Sequence, residues 1–470
     1  MATHIIPMEC SDSDLDTLFS EIEKSIAKVH GDDAFFLSSF NKSTFFGDAK
    51  FSKKSNLKYN IFFIVLYYFI FPFFLNKIKY LTSSKSAINQ VFFTFDNNHL
   101  KIVSPVFQRR PSNSHILSAL IGGRQVVSTL RNLFKKKQLF LLDGFIDVPS
   151  FMKFYSRYKE VRKEYLKIKE KINENTIEKQ ESTIQCAREI MLFHYLNYWR
   201  NCLIAENVIK KYPDSRFYFG NDSCHRGRAL ITAARKDDIM TIVIQHGLIA
   251  NVNGYIPFAD NIAVWGSIEK EKLMDAGVDP ARICITGSPT HLKPLPIKSL
   301  CPDKIKILFA MTPLASMSEN REIVRNVVEA ANLLRAELTI RPHPMENLGH
   351  YKNLQNDFEF RLDNETSLQE QLEVANVGIV FNSTVSLDMA LRGLLVMSYK
   401  ARLGVDASRL SDFQYVRPVC NAQELVATVN SAIEKPLSEK GRTEFLSAFF
   451  FAYGEDAVQN IYAIEPCRAG

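Results

Sequence analysis

From about Val91 onward the chain alternates short apolar runs with longer stretches of helical character. The runs Val91–Phe95, Gln138–Leu142, Arg216–Phe219, Thr241–Gln245, Asn261–Trp265 and Arg282–Thr286 read as strands. After a proline-marked stretch containing Pro289, Pro294, Pro296 and Pro302 come Lys306–Ala310, Glu337–Arg341, Asn376–Phe381 and Leu395–Tyr399. Short β-rich runs alternating with helices predict parallel sheets covered on both faces, the α/β class. Two such series joined by a proline-containing linker predict two doubly wound, Rossmann-like domains facing a central cleft. The expected boundaries are 85–290 for the first domain and 300–440 for the second. Terminal helices over 441–470 are expected to return across the interface.

Two segments depart from this rhythm. Phe154, Tyr158, Val161, Tyr165, Ile168 and Ile172 recur at helical spacing among lysines and glutamates, which predicts a long amphipathic helix from Phe151 to Gln180. With a following helix, Ile184 to Lys211, it forms an insertion over 151–211, packed as a pair or laid on anionic lipid. The extension 1–84 holds the most hydrophobic segment, Ile61 to Leu75, with lysines on both sides. It is shorter than the roughly 20 residues that span a bilayer as a helix. Interfacial membrane contact and burial in a core are the two readings of it.

Composition narrows the class. At 470 residues the chain has room for two or three domains, and 46% hydrophobic with 23% charged residues fits a folded globular protein. A net charge of +7 suits anionic partners without selecting one. No basic tract accompanies a nucleic-acid-binding motif, so no nucleic acid partner is expected. The eight cysteines are scattered without a CxxC pair, which argues against a disulfide scaffold or zinc site. The first thirty residues show no signal-peptide pattern, so a cytoplasmic location is expected.

The candidate chemistry sits at predicted strand ends, where open α/β sheets bind ligands. Gln245-His246-Gly247 follows TIVI, with Gly247 permitting a tight turn and His246 suited to proton transfer near neutral pH. Arg341-Pro342-His343-Pro344 follows ELTI; the prolines stiffen the backbone that presents Arg341 and His343, a pair fit to receive a phosphate. Asn382-Ser383-Thr384 precedes an apolar helix that runs to Arg392-Gly393, where hydroxyls either cap the helix or help bind phosphate oxygens. Asp388, one turn beyond Thr384, is within reach of a ribose hydroxyl or is simply an exposed helical carboxylate. Asp143-Gly144 after QLFLL is a second candidate base, and Asn221-Asp222 with His225 holds a similar place after RFYFG. The acidic run Asp12 to Asp16 reads as a solvated helix start. A dinucleotide fingerprint, a P-loop, a serine-hydrolase elbow and an HExxH helix are all missing from the sequence.

The succession QHGL, VWGSIEKEKLMDAGVDPARICITGSP, RPHP and NSTVSLDMALRG resembles the GT-B transferases of capsule and surface-polysaccharide synthesis, a group that includes polysialyltransferases, Kdo transferases and teichoic-acid CDP-glycerol transferases. The likeness covers about Asp214 to Gly454. It implies a GT-B fold and transfer from a nucleotide-sugar donor (CMP-, UDP- or GDP-linked) to a saccharide or lipid-linked saccharide acceptor. It also implies that His343, Ser383 and Thr384 hold the donor phosphate and that Asp388 takes the ribose-binding place. His246 corresponds to a residue implicated in acceptor activation among the CDP-glycerol enzymes. Sialyl- and Kdo-type enzymes tend instead to use an acid in the first domain, which leaves His246 and Asp143 both open as the base. No cofactor and no metal are expected, Arg341, His343 and the hydroxyls taking the charge of the leaving phosphate. The expected location is the inner face of the cell membrane, held peripherally. CDP-glycerol or CDP-ribitol phosphotransfer and sugar-nucleotide 2-epimerisation make similar demands on these residues.

Overall fold

The computed structural model describes residues 73, 76–77, 88–119, 138–173, 198–249, 257–311, 317–343, 348–381, 383–400 and 409–465. The chain forms two compact units, residues 1–244 with 257–260 and residues 245–256 with 261–470.

The first unit holds β1 (Gln90–Thr94), α1 (Asn97–Arg109), β2 (Ser114–Ser118), β3 (Leu139–Leu141), α2 (Val148–Asn173), α3 (198–211), β4 (Arg216–Phe219), α4 (His225–Lys236) and β5 (Thr241–Ile244). β1 pairs in parallel with both β2 and β4, and β2–β3 and β4–β5 continue outward in parallel. Register sets the aromatic core. Phe92 lies opposite Tyr218 and Phe93 opposite Phe219, so the rings stack across the strands at 4.8 and 4.7 Å.

β2 is absent from the sequence expectation. Its run SHILS carries polar residues yet is buried throughout, and the first two find partners. Ser114 Oγ donates to the Arg110 carbonyl at 2.5 Å, and His115 Nδ1 lies 2.9 Å from the Tyr212 hydroxyl. The amphipathic helix is present as α2, with Phe154 and Tyr158 buried. Its other seam side chains, and residues 174–197, lie outside the described residues. So do the acidic run at 12–16 and nearly all of the apolar segment, of which Phe73 is described. Just beyond that segment, buried Asn76 clasps the backbone of Leu141, donating from Nδ2 to its carbonyl at 2.7 Å and accepting its N–H at 2.9 Å. No helix among the described residues is long and apolar enough to cross a membrane.

The second unit opens with β6 (Asn261–Val264), α5 (Ser267–Asp275) and β7 (Ile283–Ile285). It continues through β8 (Lys306–Ala310), α6 (Met317–Leu333), β9 (Glu337–Arg341), α7 (Leu348–Leu354), β10 (Arg361–Leu362), α8 (Leu368–Val374), β11 (Val377–Val380), α9 (Val385–Leu391), β12 (Leu395–Tyr399) and β13 (Val416–Val419). It ends with α10 (Ala422–Glu434), α11 (Glu439–Phe449) and α12 (Gly454–Tyr462). The strands form a seven-stranded sheet, β3-β2-β1-β4-β5-β6-β7, and a six-stranded one, β10-β9-β8-β11-β12-β13. β10 and β13 were also unforeseen: one is two residues long, and the other carries Pro418 and an exposed Arg417. Both are edge strands, where proline and charge are tolerated.

The C-terminal chain returns to the ends of β6 and β7. Phe451 N–H donates to the Trp265 carbonyl and Ser288 N–H to the Ala452 carbonyl, each at 2.9 Å. Trp265 and Phe450 stack at 5.7 Å. These ties join β6 and β7 to the second unit, so the division into units falls well before the proline-marked stretch. That stretch runs along α9, with Leu295 N–H bonded to the Leu391 carbonyl and Lys298 N–H to the Gly393 carbonyl. The Lys298 ammonium donates to the carbonyls of Leu372, Glu373 and Ala375, each at 2.7 Å, and so caps the C-terminus of α8.

Candidate functional site

His246 is exposed while the chain around it is fastened at every step. Gln245 is the inner clamp. Its Oε1 accepts the Trp265 N–H at 2.7 Å, its Nε2 donates to the Gly247 carbonyl at 2.8 Å, and its carbonyl accepts the Trp265 indole N–H at 3.1 Å. Beyond the histidine, the Leu248 N–H donates to Thr384 Oγ1 at 3.3 Å and the Ile249 N–H to Glu269 Oε2 at 3.0 Å. Glu269 and Lys272 are fully buried one turn apart on α5, with 3.2 Å between them. Burial raises the Glu269 pKa against the opposing pull of Lys272. A β-carbon at Gly247 would sit 3.6 Å from Thr384 Oγ1, so the loop and the NST turn are in van der Waals contact.

The NST turn lies at a particular place in the six-stranded sheet. The strand order reverses between β8 and β11, and Ser383 and Thr384 follow β11 directly, at the topological switch point where such sheets bind ligands. Asn382 lies outside the described residues. Ser383 Oγ accepts the Val385 N–H at 3.3 Å, whereas Thr384, at the N-cap position of α9, makes no side-chain cap. The Thr384 hydroxyl therefore serves the histidine loop instead of its own helix.

Asp388, on α9, faces His291, with 3.5 Å between Oδ1 and Nε2. His291 is wedged between Trp265 and Phe450, at ring distances of 4.9 and 4.8 Å, and its Nδ1 lies 2.6 Å from Ser288 Oγ. Burial pushes Asp388 up to about 6 and His291 down to about 4. At neutral pH the imidazole is uncharged and the carboxylate ionised.

The RPH arm follows β9, next to β8 in the sheet. Arg341 Nη1 donates to the Thr366 carbonyl at 2.8 Å and to Gln371 Oε1 at 2.9 Å. Burial lowers its pKa from the usual arginine value. Asp363 organises this support, accepting from Thr366 N–H and Oγ1 at 2.9 and 2.8 Å; burial pushes its carboxyl up, but the hydrogen bonds together hold it down at about 2. His343 is half-buried just beyond, and Pro344 lies outside the described residues.

In the first unit Asp143 follows β3, itself fully buried, in the turn Leu142–Phe145. Arg200 Nη2 grips its Oδ1 at 2.6 Å, and Arg226 Nη2 lies 4.0 Å from the same oxygen. Asp222 is also buried, accepting the N–H groups of Phe258 and Ala259 at 2.6 and 2.9 Å, and Asn221 accepts from Ser223 in a local turn. His225 opens α4. Among the described residues no group of three His, Cys, Asp or Glu side chains is arranged to hold a metal ion.

In the sequence Gln245 stands only as the neighbour of His246, and Glu269, Lys272, Ser288 and His291 went unremarked. Gln245 adjoins the histidine, and Glu269 and Lys272 share one helical face within VWGSIEKEK, so those three had a signal. His291 had none beyond its place after GSPT.

No protein-family model and no curated protein matches the chain. Solved structures do. A Listeria monocytogenes protein assigned as a UDP-N-acetylglucosamine 2-epimerase is 14% identical, over 80% of this chain and 96% of its own, with a TM-score of 0.50. The lipopolysaccharide outer core galactosyltransferase WaaB is 12% identical over 80% and 97%, TM-score 0.47. The wall teichoic acid polymerase TagF is 12% identical over 82% and 90%, TM-score 0.40. At such identities the likeness speaks to fold, and it is the first that carries it. The two parallel sheets flanked by helices are those of the GT-B fold.

Proposed function

We propose that this chain is a glycosyltransferase, moving a sugar from a nucleotide-activated donor to a saccharide or lipid-linked saccharide of a surface polysaccharide. The observation that carries the reading is the fastening of exposed His246 beside Thr384 at the switch point of the six-stranded sheet. A solvent-facing imidazole on an immobilised loop beside the Thr384 hydroxyl supplies a proton acceptor, and the RPH arm, two strands along the same sheet, supplies an anion-stabilising group.

In this reading the acceptor hydroxyl oxygen attacks the anomeric carbon as the bond from that carbon to the donor phosphate breaks. The bonding pair leaves with the nucleotide, the hydroxyl proton passes to His246, and the anomeric centre inverts. Arg341, His343, Ser383 and Thr384 stabilise the leaving phosphate, and Asp388 holds the ribose; these residues carry the chemistry without a metal. Between the two candidate bases the reading favours His246, because Arg200 already occupies the buried Asp143 carboxylate. Peripheral contact with the inner face of the membrane, through the apolar segment 61–75, would bring the enzyme to a lipid-linked acceptor.

The test is thermal protection of the purified protein by CMP, CDP, UMP, UDP and GDP. A bound nucleotide at a hundred times its dissociation constant adds about 2.7 kcal/mol. Protection by at least one, lost in His343→Ala, is the expected result. Protection by none of them removes the donor reading.

A further inference from the structure

His291 belongs to none of the motifs that suggested the function, yet it is held with unusual care. Its ring is wedged between two aromatic side chains, and Ser288 Oγ at 2.6 Å fixes the Nδ1 side. The ring is neutral above about pH 4 and carries one proton; the tautomer that offers a donor to the carboxylate side has it on Nε2, with the serine hydroxyl donating to Nδ1. That Nε2–H faces Asp388 Oδ1 across 3.5 Å, too far for a well-formed hydrogen bond.

Asp388 is the other half of the arrangement. Its side chain is 21% exposed and, among the described residues, accepts no hydrogen bond. A mostly buried carboxylate without a donor is a costly feature that calls for a reason. A donor and an acceptor 3.5 Å apart leave room for a single oxygen lying about 2.8–2.9 Å from both, the ordinary hydrogen-bond distances. Such an oxygen must accept from Nε2–H and donate to the carboxylate. A hydroxyl does both.

We propose that His291 and Asp388 together hold one hydroxyl of the ligand, the imidazole donating to it and the carboxylate accepting from it. The inference rests on the nucleotide-donor reading, in which that hydroxyl belongs to the ribose. It adds His291 as a second ligand-binding residue and makes the pair, not the carboxylate alone, the source of selectivity. Ser288 is a positioning residue, its hydroxyl holding the Nδ1 side of the ring at 2.6 Å.

The experiment compares ribo, 2′-deoxy and 3′-deoxy forms of whichever nucleotide protects the wild-type protein. One deoxy form is expected to bind at least about tenfold more weakly, having lost the hydroxyl's two hydrogen bonds, the one to the carboxylate charge-assisted. His291→Phe keeps the aromatic packing and should narrow the gap between ribo and deoxy forms, the hydroxyl keeping only its bond to Asp388, while leaving the deoxy form unchanged. His291→Gln retains an N–H donor and should recover part of the discrimination. Equal binding of all three forms by the wild type overturns the inference and leaves the donor reading intact. Equal weakening of ribo and deoxy forms in the folded variants also overturns it, reducing the contact to a tie between α9 and the segment after β7. Failure of every nucleotide to bind the wild type overturns both.

Discussion

The Leu248 N–H donates to Thr384 Oγ1 at 3.3 Å, joining two motifs that lie 136 residues apart in the chain. The threonine therefore sets the posture of the histidine loop whatever else its hydroxyl does. Thr384→Val removes the acceptor and leaves the Leu248 N–H without its partner, at a cost of about 1–3 kcal/mol. Thr384→Ser keeps the oxygen. The valine variant should lose at least about tenfold in turnover, with the serine variant close to wild type. Equal loss in both would place the requirement on the methyl group and its packing.

The buried Glu269–Lys272 pair carries the next expectation. Glu269 accepts the Ile249 N–H, and Lys272 is its only counter-charge within reach on α5 in the ion pairs described. Lys272→Met strands a buried carboxylate and should cost about 3–5 kcal/mol in urea unfolding. Glu269→Gln keeps an acceptor for Ile249 but removes the carboxylate that faces the buried ammonium. It should also destabilise, and a wild-type denaturation midpoint in both variants would show the pair to be dispensable.

The strands legible in the sequence are those whose apolar residues run together or alternate with single polar ones. Arg216–Phe219, Lys306–Ala310, Glu337–Arg341 and Leu395–Tyr399 coincide with their predicted limits. β2 escaped because Ser114 and His115 break the run, and their burial is made tolerable by Arg110 and Tyr212, one of them 97 residues away in sequence. The candidate site was legible in the same partial way. Strand-end motifs announced His246, Arg341, His343 and Thr384. Their supports did not show, since Glu269, Gln371 and His291 act through contacts that only the folded chain creates.

Gly393 ends α9 with φ +73°, and a β-carbon there would come within 2.2 Å of the Pro296 carbonyl oxygen. Both effects oppose any side chain: the left-handed backbone strains an L-residue, and the proline-marked stretch cannot retreat without breaking the Lys298–Gly393 bond. Gly393→Ala should destabilise by about 2 kcal/mol or more. Differential scanning calorimetry would register this, and an unchanged melting temperature would show that the 291–302 stretch yields easily.

The pH dependence of stability offers the sharpest check on the Asp388–His291 pair. Burial raises Asp388 from 3.8 to about 6, so between those values the native state binds a proton that the unfolded chain has released. On its own, this group makes stability fall as pH rises from about 4 to 6. Burial lowers His291 from 6.5 to about 4, so over nearly the same range the unfolded chain holds the extra proton. That contribution rises with pH. In the wild type the two slopes oppose each other, because native and unfolded pairs each hold one proton, on the carboxyl when folded and on the imidazole when unfolded. Single variants separate them. His291→Phe leaves the acid alone and should lose stability from pH 4 to 6. Asp388→Asn leaves the imidazole and should gain stability from pH 4 to 6.5. Each full shift of about two units corresponds to at most about 3 kcal/mol, less where water reaches the side chain. Urea unfolding at half-unit steps of pH would resolve slopes of opposite sign. Parallel profiles in the two variants would mean that burial does not control these groups.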